Sequence, residues 1–482
     1  MIPFKPEAYH LLHKGSIALS RATWRGISVN VEYCQKQRIE IGTKIKWIES
    51  NAWKQEGGDW WIKKYGKDAS LGNTNQVREV LFDHLKINES DLEGNEEDFE
   101  SESQAGTADK AALSKHKLPL AKSVLEYRRW WKAIDVLEQI LRETVDGYLH
   151  CWFHLHGVTT YRSSSSGPNF QNFPNRDPEI AKIIRMAFRA PPGWVFVEAD
   201  YAAIEVRIAA CYHCDPTMLK YLIDDLDMHG DMALEIYGLS KEEYNACLPK
   251  PKAVRHASKN KFVFPAFYGS YWAKIAPSLW NAMLEGKFTL GDGTPFTTHL
   301  KRKLKIRELG SLKKDENSRF GKPQPGTFLH HISKVEDHFW HKRFPVYADW
   351  KKKWFEAYQR QGFFCSKTGF KHTGIFKRND VINYPIQGDA FHCLLRSFYR
   401  MDEELQKRPK MQSHLVGQIH DSKLALVPIG ELDEYLKLCN HIMTTELMEA
   451  WKWINVPIKI EAEVTPPGGC WYEKKEIAIP TV

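Results

Sequence analysis

Two apolar runs, separated by nearly half the chain, each lead into an aspartate. Trp194-Val-Phe-Val-Glu-Ala199 leads into Asp200, and His414-Leu-Val-Gly-Gln-Ile-His420 leads into Asp421. Short runs rich in Val, Ile, Leu and Phe that stop at a turn-forming residue read as strands. The second is followed at once by Lys423-Leu-Ala-Leu-Val-Pro428, which can return as an antiparallel partner. Such strands, set among long helical stretches, make an α+β chain, not a regular βαβ succession.

The remaining segments fill in that plan. Residues 1–50 read as mostly helical around an extended break at Gly26-Ile27-Ser28-Val29-Asn30. Residues 51–88 show no clear period, and 111–147 return to helix. Tyr161 to Pro178 is rich in Ser, Asn and Pro and reads as non-regular. Helical patterns follow Asp200, break near Pro249 and resume at Val254. Residues 286–327 read as an insertion or ragged loop, 330–361 and 431–450 as helices, and 458–464 as a last strand. No stretch approaches ~18 apolar residues, so no membrane span is expected. The start has no signal-type apolar run. Nine Cys spread over 482 residues suggest a reducing interior and not a disulfide scaffold, so a cytoplasmic location is expected.

The net charge of +8 hides its distribution. Residues 89–109 hold nine acidic side chains and no Lys or Arg, and read as a solvated insertion. Residues 301–322 hold nine basic side chains against three acidic ones. The remaining body is basic enough for a polyanion partner. Its many Trp, Tyr and Phe suit nucleic acid, and suit other large enzymes as well.

Several residues carry candidate chemistry. Asp200 and Asp421 at strand ends can supply oxygen ligands to hard divalent ions, and two such ions about 3.5–4 Å apart can clamp an in-line phosphoryl transfer. The competing reading is that each Asp simply opens a turn. Arg255 and Lys259 share a helix face and can meet a triphosphate, with Tyr268 offering aromatic surface to a base. A plain solvated basic face competes, and Pro265 interrupts the segment. Arg128, Arg129 and Lys132 stand at helical spacing and are candidates for phosphate contact. Cys211, His213 and Cys214, with Cys247 nearest, lack a second ligand pair at zinc spacing and read as structural.

Several ordered blocks resemble the polymerase domain of family A DNA polymerases, the bacterial DNA polymerase I type, most closely its phage-encoded members. Residues 160–174, TYRSSSSGPNFQNFP, resemble the family's TGRLSS-x-x-PNLQNIP. Residues 200–207, DYAAIEVR, resemble motif A, and Asp227-Met-His229 resembles the DIH that opens the fingers. Arg255-x-x-x-Lys259 with Tyr268-Gly269 resembles motif B. Tyr384-Pro-Ile-Gln-Gly-Asp-Ala390 resembles the Gln-Gly helix, and Gln418-Ile-His-Asp421 resembles motif C. Together they cover about residues 160–425, with weaker similarity from residue 16 to the end.

The resemblance implies a right-hand fold: a palm with an antiparallel sheet, helical fingers and a helical thumb. Residues 1–30 would lead into the palm and 31–150 form the thumb with the acidic insertion. Residues 151–215 and 381–482 would form the palm, and 216–380 the fingers with a basic insertion at 286–327. It implies two Mg²⁺, with Mn²⁺ able to substitute, held by Asp200, Asp421 and the Tyr201 backbone carbonyl. Arg255, Lys259 and His229 would hold the nucleotide triphosphate, Lys259 also donating a proton to the leaving group. Tyr268 would stack near the templating position. Arg162, Gln387 and His420 would contact the primer end, and Arg128 and Lys132 the duplex backbone. Glu205 would crowd a ribose 2′-hydroxyl and so favour deoxynucleotides; the competing reading pairs it with neighbouring Arg207.

Three departures from the family pattern stand out. Motif C ends in Ser422 where Glu is usual, and motif A has Ala202-Ala203 for Ser-Gln. Motif B has one extra step between Lys259 and Tyr268. A one-residue irregularity keeps Lys259 in role, with Lys261 as rival. The ungapped alternative puts Asn260 at the lysine position and Phe264 against the incoming sugar, where it predicts discrimination against dideoxynucleotides. Only about 15 residues precede the similar region, too few for a family-type 3′–5′ exonuclease, so no proofreading is expected in this chain. Primer-template DNA and dNTPs are the expected ligands. A separate exonuclease, helicase or processivity factor are further partners, and the chain is expected to be a monomer. A single-subunit RNA polymerase-like enzyme and a catalytically silent DNA-binding replication protein are the alternatives.

Overall fold

A computed structural model describes residues 5–86, 113, 118–175, 177–315 and 318–480. The acidic 89–109 segment lies outside the described residues. Helix α1 (Pro6–Arg25) ends where Gly26 takes a positive φ of 73°, and a short strand at Ile27–Ser28 leads into α2 (Val31–Ala52). The α2 start is capped by Asn30, whose side chain accepts from the Tyr33 N–H. Helix α3 (Pro119–Glu143) packs along α2, burying Val124, Trp130, Leu137 and Ile140 on one face. The poorly periodic 51–88 stretch forms small helices at Gly58–Tyr65 and Thr74–Arg78, which seat the buried Trp61 and Val77.

The centre is a five-stranded antiparallel sheet. Its strands are β1 (Trp194–Tyr201), β2 (His414–Ile419), β3 (Ser422–Pro428), β4 (Ile460–Val464) and β5 (Lys475–Ile477), in the order β2-β3-β1-β4-β5. Both aspartate-ended runs are therefore strands of one sheet, and the 422–428 return pairs with each of them. Register fixes the neighbours of Asp200: Ser422 lies opposite it on one side, and Glu461 lies opposite it on the other. Because strand side chains alternate, Val195, Val197, Ala199 and Tyr201 enter one core, while Phe196 enters a second core with Leu424, Leu426 and the α2–α3 layer. Positions 196, 198 and 200 share the second face. They pass from a fully buried Phe to a half-buried Glu to an open Asp, so the core ends where the cleft begins.

The helices on the other side carry the remaining blocks: α4 (Ile204–His213), α5 (Met228–Tyr237), α6 (Pro251–Ser258) and α7 (Arg378–Gln406). Gly15 lets α1 lie against α7, since a Cβ there would sit 2.6 Å from Leu395 Cδ1. One sequence expectation is corrected. The 286–327 region is not a ragged loop: it forms a helix at Phe296–Lys303 and a hairpin of Leu312–Asp315 with Ser318–Pro323. Its Lys-rich helix hides the period, because only Phe296, His299 and Leu300 face inward. A further hairpin, Phe363–Cys365 with Lys371–Thr373, leaves no period in the sequence because its strands are three residues long. Among the described residues no helix is long and apolar enough to cross a membrane.

Candidate active site

The β2–β3 turn places Asp421 beside the end of β1, and a cavity of about 350 Å³ opens there. Asp200, Asp421, Glu205, Phe264, Tyr268, Asn383 and Ile386 are among its lining residues. The Asp200 carboxyl is pushed up to about 7, first by burial and then by the negative charges of Asp421, Glu198 and Glu461. Burial also raises Asp421, while Arg162 and His420 oppose that rise. Two carboxyls crowded at one cleft edge are hard oxygen donors that repel until a cation joins them, so the donor set fits Mg²⁺. Among the described residues no group of three or more His, Cys, Asp or Glu is arranged to hold a metal.

Glu205 stands in the first turn of α4, reached through Ala203 at a positive φ of 53°. It accepts from Arg162 and from the Tyr268 hydroxyl. The competing pairing with Arg207 does not occur: that guanidinium donates to the Ala202 and Pro457 carbonyls. Next to Arg162, the Ser163 hydroxyl donates to Gln418 Oε1 at 2.6 Å, and Gln418 Nε2 donates to the His420 carbonyl at 2.5 Å. Arg162 is thereby tied to the turn that carries Asp421.

The cations gather around a helix start. Asp227 caps α5 by accepting from the Gly230 N–H, and it also accepts from Arg255 Nε at 2.8 Å. His229, in the first turn of α5, is held near pKa 4 by burial and by the charges of Arg255 and Lys259. Lys259 Nζ lies 5.0 Å from the Phe264 ring centroid, and His229 meets the same ring edge-on. A helix N-terminus with two cations and a neutral imidazole suits a polyanion. The extra step of motif B is a π-helical turn, Lys259–Val263, which absorbs one residue before Pro265. It leaves Lys261 exposed.

Other expected residues lie apart from the cavity. Gln387 follows the lining residue Ile386 on α7. Lys132 is exposed on α3, and Arg128 is half-buried there. Arg129 is committed elsewhere, to Asp177 and Glu179. Cys211 and Cys247 are buried free cysteines, while free Cys214 is exposed. Sequence reasoning missed Glu461, although the alternation Ile-Glu-Ala-Glu-Val of 460–464 marked an acidic face beside β1.

Comparisons with known proteins agree with one another. A family model described as DNA polymerase family A matches residues 31–286, more than half of the chain. The thermostable DNA polymerase I of Thermus aquaticus is 24% identical over 476 residues, covering 96% of this chain and 48% of that protein. DNA polymerase I of Pseudomonas aeruginosa is 30% identical over 230 residues, covering 47% of this chain and 23% of that protein. The chain spans about half the length of the thermostable relatives it matches. The POL domain of Pol1 from M. smegmatis, solved in complex with DNA primer-template and dNTP, aligns with a TM-score of 0.69 at 21% identity, over 95% of this chain and 70% of that one. The chain shares its right-hand fold of palm, fingers and thumb.

Proposed function

The chain belongs to DNA polymerase family A, and on that footing we propose that it is a template-directed DNA polymerase. It adds deoxynucleotides to a primer 3′-hydroxyl and releases diphosphate. The observation that carries this reading is the cavity shared by Asp200, Asp421, Glu205, Phe264 and Tyr268, with Lys259 and His229 against its Phe264 wall and Arg255 paired with Asp227 beside them. The reading assigns 31–150 to the thumb, 216–380 to the fingers, and 151–215 with 381–482 to the palm.

Asp200, Asp421 and the Tyr201 carbonyl would hold two Mg²⁺, which when bound acidify the attacking hydroxyl and neutralise the leaving diphosphate. The chain's own residues do the rest. A bond forms from the primer 3′-oxygen to the α-phosphorus, and the bond to the β-phosphate bridge breaks. Arg255 and His229 hold the triphosphate, and Lys259 delivers a proton to the departing diphosphate. Phe264 and Tyr268 face the base and sugar, and Glu205 closes the space a 2′-hydroxyl would need. Arg162, Gln387 and His420 meet the primer end, while Arg128 and Lys132 grip duplex backbone without reading sequence. Primer extension with Mg²⁺ tests this. Wild type should incorporate dNTPs in template order, and Asp200→Asn should lower the rate at least about a thousandfold with DNA binding retained. Unimpaired extension by Asp200→Asn would overturn the mechanism, and preference for rNTPs would favour the RNA polymerase alternative.

A further inference from the structure

Tyr161 has a positive φ of 61°, a left-handed conformation that a bulky residue rarely adopts. The family segment aligned with it carries glycine there. Such strain persists only where surroundings over-determine it, and here they do. The ring is buried against Phe370 and His372, with centroids 5.0 and 4.5 Å away. The hydroxyl donates to the Lys371 carbonyl at 2.5 Å, and the Tyr161 carbonyl accepts from His392 Nε2 at 3.2 Å. One residue earlier, Gly388 of α7 packs so closely on Thr160 that a Cβ would lie 2.6 Å from its carbonyl oxygen.

Behind His392 stands a largely buried polar network, with Asp389 and His392 fully buried. Asp389 accepts from the Tyr212 hydroxyl at 2.5 Å, from the Lys367 and Thr368 N–H groups at 2.9 and 3.2 Å, and from the Thr368 hydroxyl. That hydroxyl also lies 2.6 Å from His392 Nδ1. The network locks α7 to the 363–373 hairpin, and the hairpin holds Tyr161. Arg162 comes next in the chain, tied to Glu205 on one side and, through Ser163 and Gln418, to the Asp421 turn on the other.

We infer that Tyr161 and the Asp389–Thr368–His392 network are a positioning device that fixes the height of Arg162 over the primer end and makes extension sensitive to how that end is paired. This rests on the polymerase reading, in which Arg162 touches the primer terminus. Tyr161 and Asp389 touch no reacting atom; they act through Arg162. A misplacement of about 1 Å in such a group can cost roughly a hundredfold in rate.

The test is single-turnover extension of matched and mispaired primer ends, with primer-template Kd measured alongside. Tyr161→Gly accepts the positive φ and should fold. It should bind DNA as wild type does, lose roughly tenfold to a hundredfold of matched-end rate and narrow the matched-to-mispaired ratio. Tyr161→Phe keeps the packed ring and should retain most of the rate. Asp389→Asn should repeat the Tyr161→Gly pattern from the far end of the network. In an Arg162→Ala background, Tyr161→Gly should add nothing further. An additive loss there, or equal losses on both ends accompanied only by lower stability, would overturn the positioning role and leave the polymerase reading intact. A wild-type chain that binds DNA and extends no primer would overturn both.

Discussion

Glu205 is held in place by two donors, Arg162 and the Tyr268 hydroxyl. In the proposed function, a carboxylate fixed in that way would not swing aside for a 2′-hydroxyl, so selection would rest on a clash and not on a lost contact. Glu205→Ala is expected to raise ribonucleotide insertion relative to deoxynucleotide insertion by roughly tenfold to a hundredfold. It should also slow deoxynucleotide insertion, because Arg162 loses its partner. Paired single-nucleotide insertion rates for one dNTP and its rNTP read both effects. Phe264 brings no hydroxyl to the cavity wall, so wild type should reject dideoxynucleotides. Phe264→Tyr should ease their incorporation by at least about tenfold, read as chain termination on a primed template.

At the scale of elements, the proposed function makes the π turn decide which lysine would serve the nucleotide. Each residue of an α-helix turns the next by about 100°, so one extra residue swings α6 relative to Phe264 and Tyr268. With the turn in place, Lys259 lies over the Phe264 ring and Lys261 is exposed. Lys259→Ala should therefore slow incorporation about a hundredfold, and Lys261→Ala should change it less than about twofold. Reversed effects in rapid-quench measurements would put Lys261 in role. The spacing of motif B already exposed the irregularity, and the strands around Asp200 and Asp421 were equally legible, because short continuous apolar runs that stop at a turn-forming residue survive without tertiary context. The positive φ of Tyr161 was missed although the family block it resembles has glycine there, and what holds a tyrosine in that conformation, Gly388, His392 and Lys371, lies more than two hundred positions away. The 296–303 helix was hidden for a different reason: one apolar side packs inward, and exposed lysines dominate the rest.

For the whole molecule, buried histidines are expected to weaken the fold in acid. His213 is 5% exposed, stacks on Tyr347 and uses Nδ1 to accept from the Asp215 N–H, leaving Nε2 without a hydrogen-bond partner among the described residues. His372 is 3% exposed between Tyr161 and Phe364, and its Nε2 is likewise unpartnered. Burial depresses them to about 3 and about 4 respectively; Lys351 adds to the effect at His213 and Asp389 opposes it at His372. Both are neutral in the folded protein below the pH at which they take a proton in the unfolded chain, near 6.5. Between that pH and their folded values the unfolded state binds more protons, so stability rises with pH across the window and is lost as pH falls through it. The slope approaches roughly 1.4 kcal/mol per histidine per pH unit. Asp200, raised to about 7, opposes that slope, and His229, lowered to about 4, adds to it, so urea midpoints should fall from about pH 6 to 4 within the window that burial opens. His213→Gln with His372→Gln should be less stable at neutral pH yet show a shallower fall. An equally steep fall in that double variant would place the acid limit in other groups, with the paired carboxylates Asp177 and Glu404, each held near 2, next in line as the pH drops further.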